Sequence, residues 1–169
     1  MKICLRDLAA AAEGRLYFDY SIDLREEEVY YDHPFQDPVH ITGSVSDNSG
    51  AISLRARVET AVSAHCARCS RPFRYDKELD VFFFLAKELQ SEDIDDIIVI
   101  ESDDVELDDI IVPELILSMP MKELCSEDCK GLCPRCGKDL NDGECGCAEE
   151  IDPRLAKLAE ILDSFKTDK

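Results

Sequence analysis

ISLRARVETAVSA, residues 52–64, has apolar or small side chains at every second position and mostly charged or hydroxyl side chains between them. The first set is Ile52, Leu54, Ala56, Val58, Thr60, Val62 and Ala64. A period of two is that of a β-strand with one buried face. The alternation returns over residues 73–83, after a connection that contains Cys66 and Cys69. The sequence therefore predicts a long β-hairpin with a cysteine pair at its tip.

Weaker patterns on both sides extend this hairpin into a sheet. Residues 16–24 and 39–45 also alternate, and the second run ends at the turn-forming residues 47–50. Residues 25–36 show no period and predict a loop, whereas residues 97–100 indicate one more strand. Because consecutive strands tend to be neighbours, we expect an α+β fold with a few helices, built on a curled, barrel-like antiparallel meander.

Two helices are predicted beyond the sheet. The first spans residues 110–116, is capped by Asp108 or Asp109, and ends before Pro120. The second begins at Asp152, which is followed by a proline at the first helical position. The apolar faces are Ile110, Ile111, Leu115 and Ile116 in the first helix, and Leu155, Leu158, Ile161, Leu162 and Phe165 in the second.

The composition limits the classes of partner and the compartment. The 169 residues are 45% hydrophobic and carry a formal charge of -19, which argues against binding to nucleic acid or anionic lipid by bulk charge. Residues 1–14 lack the apolar core of a signal peptide, and residues 110–121 are too short and interrupted for a membrane span. We therefore expect a cytoplasmic protein with no membrane contact, in which the clustered cysteines among its nine are metal ligands rather than disulfides.

Eight of these cysteines form close pairs, the arrangement that supplies ligands to structural zinc. The pairs are Cys66 with Cys69, Cys125 with Cys129, Cys133 with Cys136, and Cys145 with Cys147. Residues 133–137 have the sequence of a zinc knuckle, and the eight residues 137–144 provide enough chain for the last pair to close the same tetrahedron. The remaining four cysteines would form a second site. An alternative partition joins the second pair to the third and leaves the last pair for the hairpin tip.

This assignment predicts two zinc ions per chain and a particular domain organisation. Residues 1–122 would form the sheet domain with one helix, and residues 123–169 a cysteine-rich zinc module with the C-terminal helix, stapled to the sheet by metal. Cys4 remains unpaired and is interpreted as a small buried hydrophobe. His65 is a possible substitute ligand beside the first pair.

The hairpin tip is locally basic although the chain is acidic. Its cations are Arg55, Arg57, Arg68, Arg71, Arg74 and Lys77, against Glu59 and Asp76. Guanidinium groups bind phosphate, so Arg68, Arg71 and Arg74 are candidate nucleic-acid ligands. The competing interpretation is a solvated sheet face that balances the acidic residues 88–109.

Three stretches resemble the YceD family of bacterial proteins associated with accumulation of large-subunit ribosomal RNA. They are VSAHCARCSRPF at residues 62–73, VELDDIIVPELILSMPMKELC at residues 105–125, and CKGLCPRCGKDLNDGECGC at residues 129–147. The third stretch is similar to the branch of the family with a C-terminal cysteine cluster. The resemblance implies a role in ribosome biogenesis, supporting accumulation or processing of 23S rRNA, with no established enzymatic reaction.

The functional hypothesis is therefore a zinc-binding, non-enzymatic assembly factor. Its partner would be a ribosomal RNA precursor or a basic ribosomal or processing protein, and no small-molecule substrate is expected. The alternatives are a zinc-dependent or thiol-based enzyme and a zinc-ribbon nucleic-acid-binding regulator. The enzyme is disfavoured because a catalytic zinc keeps an open coordination position, whereas the four cysteine pairs fill both tetrahedra.

Overall fold

The computed structural model describes residues 1–87 and 97–147. The fold is α+β, with most of the regular structure in strands and one α-helix among the described residues. The strands are β1 (Lys2–Cys4), β2 (Arg15–Ile22), β3 (Val39–Asn48), β4 (Ala51–His65), β5 (Pro72–Ala86), β6 (Ile97–Val99) and β7 (Asp104–Glu106). Helix α1 is Leu107–Leu117, and two short 3-10 helices are Leu5–Ala9 and Ala12–Gly14.

Strands β4 and β5, of 15 residues each, form a long hairpin, which confirms the prediction from residues 52–64. Its register runs from Ile52 opposite Leu85 to His65 opposite Pro72, so both strands span the full length of the sheet. The apolar set of β4 faces the core, where Leu54, Val58 and Val62 have no exposed surface. The period of two therefore decided both the element and its buried face.

Strand β3 brings its backbone close to both neighbouring strands at Gly43. A Cβ atom at this position would lie 2.2 Å from the carbonyl oxygen of Arg55 and 2.6 Å from the ring of Phe18. No side chain fits in that space, so the glycine allows β2, β3 and β4 to pack at this level of the sheet.

The predicted barrel-like meander is wrong in two respects. The sheet is open, with strand order β2-β3-β4-β5-β6, and the first four strands are antiparallel as expected. Strand β6 instead pairs parallel to β5, with Phe84 opposite Ile97. Apolar alternation fixes which face a strand buries but carries no information on its direction, and this is why the pattern suggested a continued meander.

A second, two-stranded sheet was not predicted. It pairs β1 with β7 antiparallel, Ile3 opposite Val105. Each strand has three residues, too few to show a period. Cys4 lies at the end of β1 and is partly buried, so it is less enclosed than predicted.

Helix α1 confirms the predicted position and its end before Pro120, but the predicted cap is wrong. The residue before the helix is Glu106, whose side chain makes no capping hydrogen bond. Asp108 lies within the first turn, where a carboxylate is favoured by the helix dipole, and accepts a hydrogen bond of 2.7 Å from the Tyr20 hydroxyl. The helix buries Leu107, Ile111 and Leu115 against the sheet core.

The predicted helix from Asp152 falls outside the described residues. The division into residues 1–122 and 123–169 stays a prediction for the same reason, since the second part extends beyond residue 147. Among residues 1–87 and 97–147, no helix combines the length and the apolar character needed to span a membrane.

Candidate metal centres

The first cysteine cluster joins the tip of the β4–β5 hairpin to the chain after α1. This hairpin group consists of Cys66, Cys69, Cys125 and Cys129, whose four sulfur atoms all lie within 4.8 Å of one another. The Sγ atoms of Cys66 and Cys129 are 3.7 Å apart, as are those of Cys69 and Cys125. A tetrahedron with metal–sulfur distances of 2.3 Å has edges of about 3.8 Å. The group therefore fits one tetrahedral metal ion.

Backbone hydrogen bonds hold the hairpin tip in this geometry. The N–H of Cys66 donates to the carbonyl of Arg71 at 2.9 Å, and the N–H of Ser70 donates to the carbonyl of Cys66 at 2.8 Å. Ser70 adopts a φ of 58°, which turns the chain back into β5. The N–H of Ala67 donates to the carbonyl of Glu123 at 2.8 Å, and this bond aligns the tip with the segment that brings in Cys125.

The second cysteine cluster is formed within one short segment. This tail group consists of Cys133, Cys136, Cys145 and Cys147, with all four sulfurs again within 4.8 Å of one another. The knuckle is closed by Gly137, at a φ of 71°, whose N–H donates to the carbonyl of Cys133 at 2.9 Å. Only Cys133 is buried, so the tail group lies nearer the solvent than the hairpin group.

These two groups are the partition favoured from the spacing of the pairs. The alternative, which placed Cys129 and Cys133 at one ion, does not match the geometry, because these neighbours lie in different groups. Each group can hold one metal ion. That the ions are zinc, and that all eight thiols bind them, stays a prediction.

The backbone around each group favours a thiolate at one cysteine. N–H donation, chiefly from Cys125, lowers the pKa of Cys66 to about 6, although burial opposes this. In the tail group, the N–H groups of Cys136 and Arg135 lower the pKa of Cys133 to about 6. Donors aimed at a sulfur favour the charged form that a metal requires.

Other thiols of the two groups are held in the protonated form in the absence of a metal. Burial raises the pKa of Cys125 to about 12, and the neighbouring thiols add to the shift. Hydrogen bonding to Cys136 raises the pKa of Cys147 to about 12. Four thiolates this close repel one another, so a bound cation is needed for all of them to ionise.

Asn141 connects the two groups and was missed from the sequence. Its side-chain amide donates to the Sγ of Cys129 at 3.3 Å, and its carbonyl oxygen accepts from the N–H of Lys130 at 2.8 Å. The residue belongs to the loop between the two pairs of the tail group, yet it contacts a cysteine of the hairpin group. An asparagine among other polar loop residues gives no sequence signal of this contact.

The three arginines predicted to bind nucleic acid all make contacts within the chain. Arg68 donates to the carbonyl oxygens of Glu127 at 3.0 Å and Cys129 at 2.8 Å. Arg71 pairs with Asp139, at 2.8 Å, and with Asp142, while Arg74 pairs with Asp37. The first two arginines therefore hold the tail segment against the hairpin tip. A role in nucleic-acid binding stays a prediction.

His65, the predicted substitute ligand, lies beside the hairpin group but is not one of its four members. Its Nδ1 atom is 3.3 Å from a carboxylate oxygen of Asp32.

Comparison with known proteins agrees with the predicted relationship. The chain is 31% identical over 123 residues to an uncharacterized protein of Mycobacterium bovis and to uncharacterized proteins of two strains of Mycobacterium tuberculosis. These alignments cover 70% of this chain but 59% of each relative, so the chain spans less than two thirds of their length. No solved structure matches. A family model described as large ribosomal RNA subunit accumulation protein YceD matches residues 54–162, which include both cysteine groups, and the chain belongs to this family.

Proposed function

We propose that this chain is a zinc-binding, non-enzymatic factor of bacterial ribosome biogenesis that supports the accumulation or processing of large-subunit 23S rRNA. The observation that carries the proposal is the family match over residues 54–162. That match extends from the long hairpin through both cysteine groups, so the family relationship includes the part of the chain that can bind metal.

Zinc is the metal that the ligand sets favour. Four thiolates in a tetrahedron are typical of structural zinc, and both groups supply four sulfurs. An ion in the tail group would close the loop at residues 133–147, and one in the hairpin group would attach the module at residues 123–169 to the sheet domain at residues 1–122. The metals would therefore have a structural role, because they would hold these parts of the chain together.

The same predicted ligand count supports a non-enzymatic role. Four protein ligands leave a zinc ion without the open position that a metal-bound water needs in hydrolysis. The ring nitrogens of His33, His40 and His65 contact the Glu27 carbonyl, the Ser21 hydroxyl and the Asp32 carboxylate respectively, and Asp32 also accepts from the backbone N–H of His33. None of the three histidines belongs to either cysteine group.

The partner would be a ribosomal RNA precursor or a basic ribosomal or processing protein in the cytoplasm, with no membrane and no small-molecule substrate involved. Two tetrathiolate zinc sites, each with a net charge of -2, would change the formal charge from -19 to about -23. Such a charge opposes general adhesion to RNA, so contact with RNA must be confined to a local surface.

The proposal is tested by deleting the gene in a bacterium that encodes this chain and measuring the ratio of 23S to 16S rRNA. We expect a lower ratio, restored by the wild-type chain and restored less well by Cys66→Ser with Cys69→Ser. Complementation by Cys4→Ser, outside both groups, is the matched control. An unchanged rRNA ratio after deletion would overturn the proposed function.

A further inference from the structure

The outer face of the sheet carries aromatic side chains that the core does not explain. Tyr17 is 75% exposed, and Phe84 and Phe82 are 39% and 36% exposed. The two phenylalanines contact each other edge to face, with ring centroids 5.0 Å apart. Aromatic residues in strands normally occupy the buried face, so three on the solvent side indicate a surface that another molecule covers.

The strand register places these side chains in two adjacent rows across the sheet. One row is Tyr17, Ser44, Arg55 and Phe82, and the next is Arg15, Ser46, Ser53 and Phe84. Serines separate the aromatic positions at the two sides, which are about 14 Å apart at three strand spacings. Ser44 is partly exposed, whereas Ser46 and Ser53 are buried and hydrogen-bonded to each other at 3.1 Å. We call Arg15, Tyr17, Arg55, Phe82 and Phe84 the aromatic face. It lies at the end of the sheet opposite the cysteine groups.

The two arginines of the aromatic face differ from the others on this sheet. The guanidinium of Arg55 lies 4.8 Å from the ring centroid of Phe82, and that of Arg15 lies 5.9 Å from the ring centroid of Tyr17. Neither forms an ion pair with a carboxylate among residues 1–87 and 97–147. Arg57, one row closer to the tip, is by contrast paired with Glu59 and Glu78.

This combination fits one class of ligand. Ring faces stack on nucleobases, and guanidinium groups without acidic partners bind phosphate and also stack. A shallow cleft of 460 Å³, lined by Arg55, Arg57, Asp80 and Phe82 among others, opens on this surface. Exposed aromatics on an open sheet suit splayed single strands, whereas duplex RNA is recognised mainly through its backbone and minor groove.

We propose that the aromatic face binds single-stranded RNA, with bases stacked on Tyr17 and Phe82 and phosphates paired with Arg15 and Arg55. The proposal rests on the proposed function, since that role supplies an RNA partner. It moves the RNA contact away from the hairpin tip, where Arg68 and Arg71 already serve the protein's own structure.

The test is fluorescence anisotropy of the full metal-loaded chain with a labelled single-stranded RNA of about 12 nucleotides. Tyr17→Ala should weaken binding about fivefold or more, since a stacked base contributes at least this much. Arg55→Gln should weaken it by a similar factor, because it removes a charge-assisted hydrogen bond to phosphate. Tyr17→Trp, which keeps an aromatic ring for stacking at this position, should bind with close to wild-type affinity. Tyr31→Ala, which removes a tyrosine that is 98% exposed outside the face, and Arg74→Gln should change it less than about twofold.

Absence of RNA binding by the wild-type chain would overturn the proposal, and so would wild-type affinity in both Tyr17→Ala and Arg55→Gln. Loss of binding with Arg74→Gln alone would also overturn it, by assigning the contact to the hairpin tip. If these variants retained RNA affinity but lost self-association or a protein partner, the occupant would be a protein instead. The rRNA ratio after gene deletion tests the proposed function independently. If deletion lowers this ratio but Tyr17→Ala and Arg55→Gln bind the oligonucleotide as tightly as the wild-type chain, only the assignment of RNA binding to the aromatic face is rejected.

Discussion

Each of the two cysteine groups consists of four cysteines, but the groups connect very different lengths of chain. In the hairpin group, 63 positions separate Cys66 from Cys129, and three of the four cysteines are buried. The tail group closes between residues 133 and 147, and one of its four cysteines is buried. The first is a link between separate parts of the fold, and the second organises its own loop.

This difference determines what each metal would contribute to stability. Closing a long loop costs more conformational entropy than closing a short one, although the cost rises only slowly with length. The larger distinction is in what is attached: the hairpin group holds the whole segment after α1 against the sheet, while the tail group holds residues 133–147 together. Loss of the first should therefore free more of the structure than loss of the second.

The largest expected effect follows from removing two ligands of the hairpin group. Cys66→Ser with Cys69→Ser should lower the zinc content from two ions to one and release residues 123–147 from the hairpin tip, because metal binding and local folding are coupled. Elemental analysis measures the first change, and limited proteolysis followed by mass spectrometry measures the second. We expect cleavage after α1 while the β4–β5 hairpin stays protected.

Cys133→Ser with Cys136→Ser is the matched control for that variant. It should also lose one zinc ion, but cleavage should be confined to residues 133–147 and the thermal unfolding of the sheet should change less. Identical cleavage patterns for the two double variants would mean that both groups hold the same part of the chain in place. Retention of both metals by either variant would contradict the ligand assignment itself.

The tail group is not isolated from the hairpin group, because Asn141 donates to Cys129. Hydrogen bonds to ligand atoms orient them and tune their basicity, and their loss typically lowers metal affinity about 10–100-fold. We expect Asn141→Ala to weaken zinc binding in the hairpin group by this factor and to leave the tail group nearly unchanged. Competition with a chromophoric chelator, performed separately on chains that lack one group or the other, measures both affinities.

Asn48→Ala, at the last residue of β3, provides a control for loss of an asparagine remote from the cysteines. Equal affinities of the hairpin group in Asn141→Ala and Asn48→Ala would show that the amide does not support the metal. A loss confined to the tail group would show that Asn141 acts on its own loop.

The parts of the fold that follow from sequence are those with a long or repeated signal. The 15-residue strands β4 and β5 show enough alternation to fix their position and buried face. Three-residue strands such as β1 and β7 are too short to show it. The parallel direction of β6 depends on how the chain crosses the sheet, which alternation does not report.

The candidate metal centres were easier to predict than their surroundings. Pairs of cysteines at short spacing restrict which sulfurs can share a tetrahedron, and the grouping in the structure is the one that the loop lengths favoured. The contacts of Arg68, Arg71 and Asn141 depend on the docking of two segments that are distant in sequence. The basic cluster at the hairpin tip was visible in the sequence, but the sequence did not show that Asp139 and Asp142 pair with Arg71.

The smallest expected effect concerns the ion pairs between the hairpin and the tail loop. Arg71 contacts Asp139 at 2.8 Å and Asp142, and neither contact involves a cysteine sulfur. Because the Arg71 side chain is 46% exposed, Arg71→Gln should cost about 1 kcal/mol or less. The difference from wild type should shrink in about 1 M salt, where charges are screened within a few ångströms.

Chemical denaturation with urea, which adds no ionic strength, measures this difference at low and high salt. Arg25→Gln is the control, since Arg25 pairs with Asp23 two positions away and joins no separate segments. In the chain that carries Cys66→Ser with Cys69→Ser, Arg71→Gln should further increase cleavage after α1, because these ion pairs are then among the remaining contacts between tip and tail. If Arg71→Gln has no effect in that background, the segment is held by the metal and the backbone hydrogen bonds, and the arginine contributes nothing measurable to the link.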